Sequence, residues 1–204
     1  MNTAVQQSKP CILIGGGGHG KVVLDLAVNL GHEVVGVCDP GLVNNGYQEW
    51  EGIPVLGGDE YLSSVQVGGI WLLNGIGFMP GSDLRRRIYE TYAASGYVFP
   101  ALVHPSATVS PRASLGKGVQ VMAGAIVQAG TDIGANSIIN TLSSVDHDCS
   151  VGKHSHVAPG ATICGDVKVG GHSFIGAGAV VIQGIKIGPD CIVKAGCLVK
   201  TDFG

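Results

Sequence analysis

From Val103 onward every sixth residue is aliphatic: Val109, Leu115, Val121, Val127, Ile133, Ile139, Val145, Val151, Val157, Ile163, Val169, Ile175, Val181, Ile187, Val193 and Val199 follow without a miss. An amphipathic helix would repeat near 3.6 and a simple strand at 2, so a period of six fits neither. It fits a short strand plus a corner, with one large aliphatic side chain and one small side chain turned inward. The fifth position is usually small, as at Ala107, Ala113, Ala125, Ser137, Ser143, Ser155, Ala161, Ser173 and Ala179. The second or fourth position is often glycine, as at Gly116, Gly134, Gly152, Gly170, Gly176 and Gly188, which suits corners needing positive φ or close backbone approach. Three such sides close a triangular coil of about 18 residues, and the series makes about five to six coils stacked ~4.8 Å apart over a column of Val and Ile.

The first half reads differently. Cys11-Ile-Leu-Ile14 is a short buried strand, followed by Gly15-Gly-Gly-Gly-His-Gly20, an apolar-periodic helix over Lys21 to Leu30 and a second strand, Glu33 to Cys38, ending at Asp39. This is a βαβ start of Rossmann-like type. A glycine turn lets phosphates approach backbone N–H groups at a helix start, and an acidic residue closes the second strand. Gly15-x-Gly17-x-x-Gly20 with Asp39 matches the dinucleotide fingerprint formally. Three readings of the turn stay open: a sugar nucleotide or related phosphate ligand, a purely structural turn, and NAD, for which the sheet is short. Ile70 to Leu73 is expected as a further strand and Asp83 to Ala94 as a helix, whose Arg85-Arg86-Arg87 run reads as a solvated face. The fold class predicted is thus α/β plus β, with an α/β domain over 1–102 and the coil over 103–204.

Composition narrows the function. The 34 glycines are spread without a collagen period and apolar residues make up 45% of the chain, which argues for a compact fold rich in tight turns. A net charge of −3 with no basic block leaves no footprint for nucleic acid. No apolar run reaches the ~18–20 residues of a membrane helix, and Met1 to Pro10 lacks the pattern of a signal peptide, so a cytoplasmic protein without membrane insertion is expected. The six cysteines show no CxxC pair or zinc spacing and read as reduced, small core residues.

Within the repeats, Asn140-Thr-Leu-Ser-Ser-Val-Asp-His-Asp-Cys149 sets His147 between Asp146 and Asp148. Acyl transfer to an amine or hydroxyl needs a base for the nucleophile's proton, and histidine suits this near neutrality. A carboxylate beside it orients the ring and favours the imidazolium. Strand neighbours point to opposite faces, so Asp148 reaches His147 only if the chain turns there; a hexad corner could supply the turn. A surface histidine between two solvated aspartates is the alternative. His154 and His172 read as exposed repeat positions.

The GGGGHGK turn, the INT-x-SSV-x-H-D-C segment and the following HSHVAPGA, in that order across nearly the whole chain, resemble the PglD/NeuD type of bacterial sugar acyltransferase. The resemblance implies a left-handed coil and an acetyl-CoA-dependent N-acetyltransferase of nucleotide-linked 4-amino-4,6-dideoxy sugars. It makes His147 the general base with Asp148 its acidic partner, and it brings His156 to the acyl-CoA thioester. It places Gly17, Gly18, His19, Asp39 and Ile76 around the nucleotide sugar, with Asn140 also on the substrate. It lines a CoA cleft between subunits of a homotrimer with the backbone at Gly165, Ala177 and Ala195, and it implies no metal. Members usually carry a short Gly-x-Pro-Ala-like tail; this sequence ends on Thr201-Asp-Phe-Gly204. Two alternatives remain: a sugar O-acetyltransferase of the sialic-acid type, and a zinc enzyme of the γ-carbonic-anhydrase kind or a non-catalytic binding protein. Three histidines would have to converge on zinc, and His147 and His156, one and a half hexads apart, are expected on different sides of the coil.

Overall fold

A computed structural model describes residues 9–204; the N-terminal stretch read for a signal peptide lies largely outside them. The chain forms two compact units, one built from residues 9–77 together with 90–99, the other from 78–89 together with 100–204.

The first unit is a sheet in the order β3-β4-β2-β1-β5, from β1 (Cys11–Ile14), β2 (Val34–Cys38), β3 (Glu49–Trp50), β4 (Ile53–Gly57) and β5 (Trp71–Asn74). All pairs are parallel except the β3–β4 hairpin. β1 is buried along its whole length, as its unbroken apolar run requires of a strand between parallel neighbours. It has β2 on one side and β5 on the other, so the glycine turn that follows it opens at the point where the strand order reverses. Helix α1 (Gly18–Asn29) begins three residues before the expected Lys21. Its buried face comprises Gly20, Val23, Leu24, Leu26 and Ala27, so its first turn, Gly-His-Gly, gave little apolar periodicity to read. Helix α2 (Pro40–Asn44) is a short turn capped by Asp39, and α3 (Leu84–Ala94) starts one residue after the expected Asp83.

The second unit is the coil. Every strand from Leu102–Val103 to Leu198–Val199 is two residues long and ends on the repeat's aliphatic residue. Partners are offset by one 18-residue turn, as in Ile126↔Ser144 and Val127↔Val145, and three parallel sheets of six, five and six strands result. The aliphatic column and the small fifth-position residues form one buried core.

The corners separate two duties that the sequence reading had joined. The fourth position has positive φ in every hexad from Gly118 to Gly196; Asn136, Leu142, Asp148, His154, Asp166, His172 and Asp190 adopt it without being glycine. The second-position glycines serve close approach instead: a Cβ on Gly134 would lie 2.5 Å from the Lys153 amide nitrogen of the next turn. Serines at the fifth position stitch one corner, with Ser155 Oγ donating to the Gly170 carbonyl and accepting from the Ser173 amide, so inward polar atoms are satisfied.

The three outer faces differ in chemistry. The first, from Thr108–Val109 to Leu198–Val199, turns Ile126, Ser144, Thr162, Val180 and Leu198 outward. The second turns out Ser114, Asp132, Ser150, Lys168 and Lys186. The third, which carries Gln120, Ile138, His156 and Phe174, is covered within the unit by residues 78–89. There Arg85 departs from the expected solvated face. It is 4% exposed, with Nε donating to the Asn136 carbonyl (3.3 Å) and Nη2 to Gln120 Oε1 (3.2 Å), and burial pushes its pKa down to about 9. Among the described residues no helix is long and apolar enough to cross a membrane.

Candidate active site

His147 lies on the corner between the first and second faces, after strand Ser144–Val145 and before Ser150–Val151. Asp148 holds the positive-φ place of that corner (φ 58°), which turns its carboxylate back so that Oδ2 sits 2.9 Å from His147 Nδ1. Aspartate tolerates this conformation better than most residues. Asp146 Oδ1 accepts from the His147 amide at 2.8 Å and fixes the approach to the corner. The neighbouring turns seat the pair: a Cβ on Gly165 would lie 2.6 Å from His147 Nε2, and one on Gly130 2.5 Å from Asp148 Oδ1. The ring therefore rests on Gly165 and the carboxylate on Gly130.

The electrostatics favour a base. The hydrogen bond that His147 donates to Asp148, then the charge of Asp146, raise the His147 pKa above its ordinary value; desolvation opposes them, and the charges of Asp148 and Asp166 add less. With Nδ1–H directed at Asp148, the lone pair of neutral His147 is on Nε2. The side chain is 60% exposed, with Nε2 the ring atom nearest Gly165.

Asn140 and His156 meet at the other edge of the first face, where the third face turns into it. Asn140 Oδ1 accepts from the Thr141 amide (2.8 Å), which orients its amide group so that Nδ2 donates to His156 Nε2 (3.0 Å). His156 is buried edge-on against Phe78 and Phe174. Ala177 and Ala195 lie along this same edge, two and three turns above the Asn140 corner, joined by the Gly196 amide donating to the Ala177 carbonyl. Gly165 does not join them; it belongs to the His147 corner. His154 and His172 also depart from the expected exposed positions. His154 Nδ1 is 3.0 Å from Asn136 Nδ2 with its ring against Tyr89, and His172 Nδ1 is 2.7 Å from Asp190 Oδ1 with its ring against Phe78. Both hold positive-φ corner places beside Phe78 and Tyr89, which leave them half-buried. Cys11, Cys38 and Cys149 are buried, whereas Cys197, read as a core residue, is exposed on the last turn; none of the six is in a disulfide. Among the described residues no three His, Cys, Asp or Glu side chains gather as a metal site.

In the first unit the glycine turn divides in two. Gly15 has φ of 95° and packs on Ile76, whereas Gly17 and Gly18 have open space where a Cβ would project and take no left-handed φ. The fold asks nothing of glycine at 17 and 18; a ligand approaching the α1 amides would. His19 follows in the first turn of α1 and lies against Gly77. Asp39 has a structural task beyond any ligand: Oδ2 accepts from the Gly16 amide (2.7 Å) and Oδ1 from Gly41 (2.7 Å) and Leu42 (3.1 Å).

Residues 11–92 match the PglD N-terminal domain family and residues 166–201 the bacterial transferase hexapeptide family. The acetyltransferase domain of PglB from Neisseria gonorrhoeae is 36% identical with a TM-score of 0.89, over 97% of this chain and 94% of that one. The chain belongs to the PglD type of bacterial sugar acyltransferases. Its coil is the left-handed parallel β-helix of that family. The same Neisseria domain in complex with acetyl coenzyme A matches at 36% identity and a TM-score of 0.85, over 94% and 93% of the two chains. PerB from Caulobacter crescentus, in complex with CoA and GDP-perosamine, matches at 38% identity and 0.86, over 95% and 90%. Sequence reasoning missed the seats at Gly130 and Gly165. The signal was present: in an 18-residue turn, positions 165 and 130 are one turn above His147 and one below Asp148.

Proposed function

We propose that this chain transfers an acetyl group from acetyl-CoA to the amine of a nucleotide-linked 4-amino-4,6-dideoxy sugar. The observation that carries the proposal is the His147–Asp148 pair, with Nδ1 engaged by a carboxylate on a largely exposed ring. The sugar amine, bound neutral, attacks the thioester carbonyl. His147 Nε2 takes its proton as the C–N bond forms, and Asp148 stabilises the imidazolium. The C–S bond breaks and the proton passes to the CoA sulfur, giving an amide and free CoA. Gly17, Gly18, His19, Asp39 and Ile76 hold the nucleotide sugar, and His156, Gly165, Ala177 and Ala195 the acetyl-CoA. Both substrates belong to the cytoplasm, which is where this reading places the enzyme.

A homotrimer completes the site. His147 and the Asn140–His156 corner lie on opposite edges of one face, and that face turns Leu198 (54% exposed) and Ile126 outward. Three copies with this face toward a threefold axis set the His147 corner of each beside the Asn140 corner of the next. Support comes from the small and apolar residues of the face, in contrast with the charged second face. Native mass spectrometry should return a trimer, and Leu198→Asp should break it with loss of CoA binding; a monomeric wild type with full activity would overturn the assembly. For the reaction, purified protein should be offered GDP-, UDP- and dTDP-linked 4-amino sugars with acetyl-CoA. One should gain an acetyl group in a hydroxylamine-stable amide. A hydroxylamine-labile ester would instead mean O-acetylation.

A further inference from the structure

The His147 corner carries more charge than a base and its partner need. Asp146 and Asp148 flank the ring, Asp166 stands one turn above Asp148, and Lys168 is the cation among them. Like charges one turn apart, about 4.8 Å, repel. Lys168 Nζ reaches the Asp148 carbonyl at 2.8 Å and Asp166 Oδ1 at 3.1 Å. The backbone amide of Asp166 donates to the His147 carbonyl at 2.9 Å. Residues 166 and 168 thus grip the carbonyls of both members of the pair. That matters because Asp148 holds a conformation uncommon outside glycine, and its carboxylate meets the ring only in that conformation.

We infer that Lys168, anchored by Asp166, is a positioning residue that holds the Asp148 corner so that its carboxylate stays on His147 Nδ1. The inference rests on His147 being the base, and it extends the working site to residues 166 and 168 of the following turn. The charged groups facing His147 are Asp146, Asp148 and Asp166, with Lys168 paired to Asp166 and the Cys149 thiol between the carbonyls of Cys164 (3.1 Å) and His147 (3.6 Å).

Two roles for Lys168 give opposite signs. A lysine acting only as a nearby cation opposes protonation of His147, so its removal raises the ring's titration midpoint. A lysine that holds Asp148 in place sustains the largest influence favouring the imidazolium, so its removal lowers the midpoint. The test is a histidine titration by NMR on the full-length protein, with the His147 signal assigned by its loss in His147→Gln. Lys168→Met should lower the midpoint and reduce kcat about three- to tenfold, with both KM values within about twofold. Lys168→Arg should restore both, and Asp166→Asn should lower the midpoint less than Lys168→Met. A midpoint that rises or stays fixed in Lys168→Met overturns the inference. The titration needs no substrate, so failure to acetylate any amino sugar would sink the acetyltransferase reading while leaving this result readable.

Discussion

Gly165→Ala separates catalysis from folding at this site. The backbone at 165 is outside the left-handed region, so alanine fits the chain, but the new Cβ would lie 2.6 Å from His147 Nε2 and 2.7 Å from Cε1. An ordinary contact is about 3.5 Å, so the ring must move by about 1 Å. Being largely exposed, it can swing outward at little cost to stability. The loss appears in rate, because a misplacement of about 1 Å can cost ~10²-fold. We expect kcat to fall about 10- to 100-fold, or ~1.4–2.7 kcal/mol of barrier, while Tm stays within about 2 °C or rises through the loss of glycine freedom in the unfolded chain. Steady-state kinetics with thermal melting on the same preparation decides it. An alanine variant with kcat within twofold of wild type would refute the claim that the ring works from its seat on Gly165.

Asp148→Asn should lower kcat by roughly tenfold. It should also move the acidic limb of the pH–rate profile to lower pH, since the carboxylate raises the His147 pKa and the base acts unprotonated; a limb moving upward would contradict this. Asp39→Ala removes an acceptor for three amides, so Tm should fall, and the KM for the nucleotide sugar should rise about tenfold or more with that for acetyl-CoA nearly constant. An equal rise in both would assign Asp39 to folding alone. Arg85→Met should cost about 1–3 kcal/mol in chemical denaturation, through two lost buried hydrogen bonds; unchanged stability would remove Arg85 from the account.

The β-helix was legible because each inward aliphatic recurs at a fixed interval, and no local propensity competes with so long a series. The bend that joins Asp148 to His147 was legible only as a condition, since Asp, Asn, His and Leu take the positive-φ corner as well as glycine and hide it. What lies one turn away could have been found by adding 18: Gly165 and Asp166 stand over His147 and Asp148. Lys168 reaches back 20 positions to the Asp148 carbonyl by the length of its side chain, which no register gives. Arg85 could not have been found at all. Its partners Gln120 and Asn136 are 35 and 51 positions away, and a run of three arginines on a helix reads as solvated until the face beneath it is known. The glycine turn was read as one motif, whereas Gly15 and Gly20 serve the fold, leaving Gly17 and Gly18 open to solvent.

The central claim is that His147 takes the proton as an amine becomes an amide. It is tested most directly by comparing His147→Ala with the wild type on the amino sugar that the screen identifies. The account predicts a kcat lower by ~10² to 10⁴, both KM values within a few-fold, and loss of the acidic limb from the pH–rate profile. An alanine variant that keeps near wild-type kcat would contradict it.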